Sequence, residues 1–191
     1  SVSIGVGNSY IAENQGQTNQ QSYAISIGGV AGAQNQHSNA IAIGISAGSW
    51  DQGEYAVAMG YNAGEYYQGS NAIALGPYAG RERQGTGAIA IGTGAGQSSQ
   101  SSNAVAPGQS AGYTGQGAGS IAMGFEAGQY IQGSNAVAMG YQAGNTNQKD
   151  YAIALGQSAG YTGQGISAVA LGNGAGQSNQ GSNAVALGNG A

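Results

Sequence analysis

Short hydrophobic and polar runs alternate along the chain, and the same order returns every sixteen residues. The unit reads S-N-A-[IV]-A-[ILM]-G-x-x-A-G-x-x-x-Q-G, and eleven copies follow one another without insertion over residues 22–191, the last one incomplete. Position four is Ile or Val in every copy, position ten is always Ala, and position fifteen is Gln in every complete copy. Self-similarity at a fixed period indicates a repeat architecture built from one small structural unit.

Each unit predicts one coil of an all-β protein, a β-solenoid. The stretch over positions three to six alternates with period two and carries β-branched residues, which is typical of a strand. Glycines at positions seven and eleven and the polar run that follows predict corners. Coils stacked at the strand spacing of ~4.8 Å would form a rod on the order of 50 Å long. Residues 1–21 fit the unit less well and are expected to form an irregular N-terminal coil.

Identical positions of successive coils should form columns along the rod. At position fifteen this predicts an amide ladder, in which each side chain donates to the carbonyl of the next, as in other stacked β structures. The ladder consists of Gln36, Gln52, Gln68, Gln84, Gln100, Gln116, Gln132, Gln148, Gln164 and Gln180. Pro107 replaces the aliphatic residue of position six and removes one backbone donor, so a local weak point is expected there.

The predicted strand is apolar on both faces, because positions four and six are bulky while positions three and five are Ala almost throughout. We assign the bulky stripe to the coil interior, facing the Ala and Gly of positions ten and eleven. The alanine stripe would then face neighbouring chains, and the reverse assignment stays open. In either case one apolar stripe lies outside a thin coil and exceeds what soluble monomers normally expose. The sequence therefore predicts an oligomer packed around a common axis.

Composition removes several classes of function. The chain has three Lys/Arg, seven Asp/Glu, one His and no Cys, with a formal net charge of −4. Three basic residues cannot neutralise a nucleic-acid backbone or hold an anionic membrane surface. No disulfide can form, and the apolar runs are too short to span a bilayer. The first five residues contain no charged leader, and we expect the sequence to be a piece of a longer protein.

Three stretches carry a family resemblance: Asn183 to Ala191 (NAVALGNGA), Asn103 to Ala106 (NAVA) and Asn39 to Gly44 (NAIAIG). They resemble the N-S-V-A-I-G-x-x-S head repeat of trimeric autotransporter adhesins, over about residues 22–191. The resemblance implies a homotrimer of left-handed parallel β-rolls that binds host matrix or other surfaces. Similar arrays look like those of predicted fibre proteins of bacteriophages and large algal viruses. An extracellular, cell-surface or virion-surface location follows from the same resemblance.

This repeat differs from the adhesin head repeat in three respects. It is somewhat longer, it has Ala where the head motif has Ser, and its Q-G corner is not part of that motif. Attachment to a bacterial outer membrane, a viral fibre and a free extracellular fibre therefore all remain open.

Signatures of catalysis and of cofactor or metal binding are missing from the sequence. His37 is the sole imidazole, so a metal site with several His ligands cannot form within one chain. The glycine-rich stretches 92–96 and 172–176 open no evident helix and no G-K-[ST] follows them. Calcium-binding nonapeptides need regularly spaced Asp, and only Asp51 and Asp150 occur. The protein is therefore predicted not to be an enzyme and to hold no cofactor or metal.

The variable corner positions are the candidate contact sites, because the repeat does not dictate them. Aromatic rings with flanking charges can stack on sugar rings or anchor a host-surface protein. The candidate contacts are Trp50, Tyr66, Tyr67, Tyr78, Arg81 and Arg83, and Glu82 continues the column of Trp50 and Tyr66. A second, weaker group contains Phe125, Tyr130, Ile131 and Tyr141. Coverage of neighbouring corners, or lateral contact between chains, is the alternative explanation for both groups.

Three functions fit these observations. The first is a structural and adhesive fibre segment that displays corner residues to a surface protein or glycan. The second is ice binding through the flat alanine ladder, although Thr is sparse in this chain. The third is a filament subunit, because unpaired strand edges at the ends of a rod invite end-to-end stacking.

Overall fold

The computed structural model describes residues 2–4 and 18–191, which form a parallel β-solenoid of twenty three-residue strands. No helix occurs among these residues, and so none that would cross a membrane. The twelve strands of the first sheet are β1 Val2–Ile4, β2 Ile25–Ile27, β4 Ile41–Ile43, β6 Val57–Met59, β8 Ile73–Leu75, β10 Ile89–Ile91, β12 Val105–Pro107, β14 Ile121–Met123, β16 Val137–Met139, β18 Ile153–Leu155, β19 Val169–Leu171 and β20 Val185–Leu187. The eight strands of the second sheet are β3 Gln34–Gln36, β5 Trp50–Gln52, β7 Tyr66–Gln68, β9 Glu82–Gln84, β11 Ser98–Gln100, β13 Thr114–Gln116, β15 Tyr130–Gln132 and β17 Thr146–Gln148.

The pairing of the strands confirms the sixteen-residue coil. In the first sheet Ile89 pairs with Ile73, and in the second Trp50 pairs with Tyr66, each exactly one repeat away. Each coil thus contributes a strand at positions four to six and, in most coils, another at positions thirteen to fifteen. The expected irregular N-terminal coil lies mainly outside the described residues, but β1 pairs in parallel with β2.

Alanine, and not the bulky aliphatic residues, fills the coil interior. Alanines of positions three, five and ten, such as Ala40, Ala42 and Ala47, have no exposed surface. The side chains of positions four and six point outward and are half-buried or exposed. The assignment of the bulky stripe to the interior was therefore wrong, and the reverse assignment is correct. The physical reason is space: the interior also holds the glutamine of position fifteen, and only methyl groups fit beside it.

The glutamine ladder runs through the interior as a continuous chain of hydrogen bonds. Gln100 Nε2 donates to the side-chain oxygen of Gln116 at 3.0 Å and accepts, through its own oxygen, from Gln84 Nε2 at 3.1 Å. The same amide donates to the backbone oxygens of Ile89 at 2.8 Å and Ala104 at 3.2 Å. No buried side-chain polar atom of the described residues lacks a partner. The ladder therefore ties both strands of a coil together and each coil to the next.

Glycine is required at two corners of the coil. At position seven, Gly44 has φ of 125°, and a Cβ there would lie 2.6 Å from the carbonyl oxygen of Gly60. At position eleven, Gly48 has φ of 52°, and a Cβ would lie 2.7 Å from the Gln52 side chain. Both positions combine a left-handed backbone with the close approach of a neighbouring group, which leaves no room for a side chain. These corners keep successive coils in register.

Pro107 coincides with the thinnest pairing in the first sheet. Strands β12 and β14 share a single residue pair, Val105 with Ile121, whereas β10 and β12 share three. The proline has no N–H to donate, although its own carbonyl still accepts from Gly124 N at 3.0 Å. The interruption is confined to one strand edge, and the stacking of coils continues on both sides of it.

Candidate binding surfaces

The first sheet presents an outer surface that is apolar in every coil, which we call the aliphatic face. Its side chains stand at positions four and six, and Ile91 and Met123 keep 42% of their surface exposed. The face consists of Ile25, Ile27, Ile41, Ile43, Val57, Met59, Ile73, Leu75, Ile89, Ile91, Val105, Pro107, Ile121, Met123, Val137, Met139, Ile153, Leu155, Val169, Leu171, Val185 and Leu187. No polar side chain interrupts it, so the second apolar stripe expected from the sequence is present on the outside of the rod.

The second sheet presents a different outer surface, because positions twelve to fourteen change from coil to coil. Between residues 50 and 83 this surface carries a cluster of rings and charges, here called the corner patch. It consists of Trp50, Glu65, Tyr66, Tyr67, Arg81, Glu82 and Arg83 at positions twelve to fourteen, together with Tyr78 at position nine of the preceding corner. All six candidate contacts predicted from the sequence fall within this one region of three consecutive coils.

Stacking of coils brings the rings and charges of the corner patch into columns. Trp50 pairs with Tyr66, and Tyr66 with Glu82, across adjacent strands of the second sheet. The rings of Trp50 and Tyr66 are tilted by 31° with centroids 6.4 Å apart. An open cavity of about 210 Å³ lies beside them, lined by Tyr66, Tyr67, Glu82 and Arg83. From the sequence, Glu82 is expected only to continue the column of Trp50 and Tyr66. In the structure it also lines this cavity.

An ion pair supports the patch from one side. Arg81 Nε donates to Glu65 Oε2 at 2.7 Å, and Asn62 Nδ2 donates to the same oxygen at 2.9 Å. Glu65 is buried, and these two donors supply hydrogen bonds to its carboxylate. Asn62 was not singled out from the sequence; its spacing of three residues from Glu65 within one corner is the signal that could have found it.

Arg81 also contacts the other charged and aromatic members of the patch. Its Nη1 lies 3.8 Å from Glu82 Oε1, and its guanidinium carbon lies 5.8 Å from the centre of the Tyr78 ring. The Tyr78 ring in turn meets that of Tyr61 edge to face at 5.2 Å. Arg81 therefore takes part in an ion pair and in a cation–π contact at the same time. Its guanidinium stabilises the patch and is already occupied by these contacts.

The titration behaviour of the patch follows from these contacts. Hydrogen bonding and charge of the Glu65 carboxylate raise the pKa of the Tyr66 hydroxyl above its ordinary value. The same carboxylate raises the pKa of Arg81. Desolvation, followed by the neighbouring Tyr61, raises the pKa of Tyr78. At neutral pH all three groups therefore keep their usual charge, and Arg81 and Glu65 form a stable pair.

Three members of the patch, Tyr67, Tyr78 and Arg83, occupy backbone conformations with positive φ, which bulky residues avoid. Tyr67 and Arg83 both stand at position fourteen, with φ of 56° and 55°. Other coils place Gly or Asn at this position, as at Gly115 and Asn147, which tolerate a positive φ. A bulky residue there costs on the order of 1–2 kcal/mol. Observed strain at a surface position is consistent with a side chain retained for what it contacts.

The second aromatic group is divided between the two faces. The rings of Phe125 and Tyr141 are stacked at 5.3 Å with an interplanar angle of 9°, at position eight beside the aliphatic face. Tyr130 meets Tyr113 edge to face at 6.2 Å on the second sheet, next to the exposed Ile131. These residues therefore form two small clusters rather than one site.

The structure also bears on the other chemistry considered from the sequence. Within residues 2–4 and 18–191 no group of three His, Cys, Asp or Glu side chains could hold a metal ion. His37 lies exposed at its corner. The alanine columns on which the ice-binding alternative relied are buried inside the coil and offer no surface to water. Comparison of the chain with protein-family models, with curated proteins and with solved structures finds no match.

Proposed function

We propose that this chain is a rigid segment of an extracellular fibre, on a cell or virion surface, in which identical copies associate through the aliphatic face. The corner patch remains outside the assembly and attaches the fibre to a surface protein or glycan. The role is structural and adhesive, without turnover. The uninterrupted aliphatic face is the single observation that carries this proposal, because water must be excluded from it.

The size of the aliphatic face supports association between copies. Three residues per strand and eleven coils give a strip ~10 Å wide and ~50 Å long, or about 500 Å² per copy. Two such strips in contact bury about 1,000 Å², which is the lower limit expected for a specific interface. Left uncovered, the strip would be among the larger apolar patches found on soluble monomers. A homotrimer, as the resemblance implies, would bring three aliphatic faces together around one axis.

The regularity of the face also favours an identical copy as its partner. A surface that presents two apolar side chains in each coil, at a fixed spacing, is complementary to another surface of the same period. Closed symmetric assemblies of identical chains are the most common solution for such surfaces. Charge does not oppose the contact, because the aliphatic face carries no ionisable group.

The interior supports the role of a stiff spacer. Backbone hydrogen bonds link each coil to the next on both sheets, as from Ile41 N to Ala56 O at 2.8 Å and from Trp50 N to Glu65 O at 2.9 Å. The glutamine ladder adds a third row of bonds in the middle. Bending the rod in any direction would stretch the row or rows on its convex side and compress those on its concave side, so we expect it to stay straight.

Sedimentation equilibrium with charged substitutions tests the association. The wild-type chain of 18.6 kDa should sediment as an oligomer, at three times this mass for a homotrimer. The double variant Ile91→Lys/Met123→Lys should weaken association at least about a hundredfold, roughly 3 kcal/mol, because each interface would then bury ammonium groups. The matched control Ser98→Lys/Tyr130→Lys changes the opposite face of the same two coils and should leave the mass unchanged. A monomeric wild-type chain would refute the proposal.

A further inference from the structure

We propose that the corner patch binds a neutral sugar, with one pyranose ring against Tyr67 and its hydroxyl groups on Glu82 and Arg83. The inference rests on the attachment role proposed above and gives that role a ligand class. It depends on four side chains from two adjacent coils, and the shape, chemistry, charge and backbone of the site each support it.

The shape of the site suits one ring of a surface glycan. The cavity is an open depression on the outside of the sheet, and its lining comes from two adjacent coils, Tyr66 and Tyr67 from one and Glu82 and Arg83 from the next. Its volume of about 210 Å³ is below the range of pockets that enclose drug-sized molecules. Because the cavity is open along the outside of the second sheet, a chain of sugars can continue past it in either direction.

The chemistry of the lining side chains matches the two sides of a pyranose. A sugar ring has an apolar C–H face and a rim of hydroxyl groups that both donate and accept hydrogen bonds. An aromatic ring offers the apolar surface, and Tyr67 keeps 57% of its surface exposed. The Glu82 carboxylate accepts hydrogen bonds and the Arg83 guanidinium donates them, so both types of hydroxyl contact are available within one cavity.

The charge of the site favours a neutral ligand. Glu82 and Arg83 cancel each other, and Glu65 and Arg81 are already paired at 2.7 Å. Asp51 adds a negative charge one coil before Tyr67, and the chain as a whole carries −4. No positive field therefore attracts a carboxylate- or sulfate-bearing sugar.

Arg83 is available for a ligand. Among the described residues Arg83 makes no salt bridge, whereas the neighbouring Arg81 contacts both Glu65 and Glu82. The two arginines thus have different roles: Arg81 holds the patch together, and Arg83 is exposed and lines the cavity.

The side chains at position fourteen set the site apart from the rest of the second sheet, where φ at this position is positive as well. Position fourteen holds bulky residues with positive φ in two consecutive coils, Tyr67 and Arg83, and both line the cavity. Ile131 is the other bulky aliphatic or aromatic residue at this position, with φ of 55°, and it has no carboxylate–guanidinium pair beside it. At the proposed site, positive φ at position fourteen therefore coincides with an exposed tyrosine, Tyr67, and with the neighbouring carboxylate and guanidinium groups of Glu82 and Arg83.

The experiment measures binding of the full chain to an array of neutral oligosaccharides containing glucose, galactose, mannose or N-acetylglucosamine, with sialylated and uronic-acid oligosaccharides beside them. Affinities for the neutral compounds that bind are then measured by calorimetry. The variants Tyr67→Asn and Arg83→Asn should each weaken binding at least tenfold. Both should melt at or above the wild-type temperature, because Asn already occupies this position with positive φ in other coils. Ile131→Asn is the matched control and should bind like the wild type.

Three outcomes would overturn the inference: no neutral oligosaccharide binds, only acidic ones bind, or Ile131→Asn weakens binding as much as Tyr67→Asn. Retention by a surface protein without any neutral glycan would overturn it as well. Sedimentation of the same samples distinguishes a wrong ligand class from a wrong proposed function. An oligomer that binds no neutral sugar refutes the ligand class alone, whereas a monomer refutes the fibre assembly whether or not sugar binds.

Discussion

The two sheets share one interior but have opposite outer surfaces. Outside the first sheet, every coil presents two apolar side chains, while outside the second sheet Trp50, Tyr66, Glu82 and Ser98 follow one another in a single column. The stacking of coils requires neither surface, because both point away from the core. A uniform surface indicates a uniform partner along the rod, and a variable one indicates local contacts. This difference is why we assign association to the first sheet and ligand binding to the second.

Removing one rung of the interior ladder should have the largest effect, because both faces depend on it. In Gln100→Leu, four hydrogen bonds of the Gln100 amide are lost, and we expect a loss of unfolding free energy on the order of 4 kcal/mol. The control Gln97→Leu changes the same side chain on the outside and should stay within about 0.5 kcal/mol. Urea unfolding followed by circular dichroism measures both. Equal midpoints for the two variants would show that the ladder contributes little.

A pair of neighbouring substitutions tests which stripe is inside. Ala90→Leu should lower the unfolding free energy by about 3 kcal/mol, because overpacking strains a filled core. A Cβ on the facing Gly96 would already lie 3.2 Å from the Ala90 methyl group. Ile91→Ala should weaken association and change the unfolding midpoint only at protein concentrations where copies associate. Urea unfolding at two concentrations distinguishes them, and a tolerated Ala90→Leu would contradict the interior described here.

The smallest effect concerns the titration of one ring in the corner patch. Because the Glu65 carboxylate raises the pKa of Tyr66 above the ordinary value of 10.0, Glu65→Gln should lower it toward that value. The raised pKa favours the neutral phenol in the folded state. Its contribution to stability is therefore complete below the pKa of an unfolded tyrosine and is lost as pH rises through the folded value.

Carbon NMR of the tyrosine Cζ atoms measures this titration, with Tyr66→Phe to assign the signal. An unchanged pKa in Glu65→Gln would show that the carboxylate does not contact the ring's hydroxyl. Trp50→Ala is a useful control, because it removes the neighbouring ring and leaves the Glu65 charge in place.

Periodicity was enough to predict the coil, the column of glutamines and a strand at positions three to six, of which the structure forms positions four to six. It was not enough to decide which apolar stripe is inside, because an alternating pattern defines two faces but does not show which of them points into the coil. A further signal was present: the inner positions hold almost nothing but Ala, whereas position six varies from Ile91 to Met123 to Pro107. A core packed from coil to coil requires constant volume, and an outer face does not. Variation in side-chain shape therefore marked the outside.

The corner patch was predictable as a group of columns but not as a site. Identical positions in adjacent coils must stack, so the sequence alone predicts that Trp50, Tyr66 and Glu82 lie next to one another. The positive φ of Tyr67 and Arg83, inside strands β7 and β9, and the contact of Asn62 with Glu65 depend on the local path of the backbone, which the sequence pattern does not reveal.

Thiol reactivity measures most directly whether the aliphatic face is covered in solution. Met123 and Tyr130 lie in the same coil on opposite sheets, with 42% and 43% of their surface exposed in the single chain, and the chain has no cysteine of its own. At concentrations where copies associate, Met123→Cys should react with a maleimide much more slowly than Tyr130→Cys, and dilution to monomers should remove the difference. Equal rates at every concentration would contradict the account.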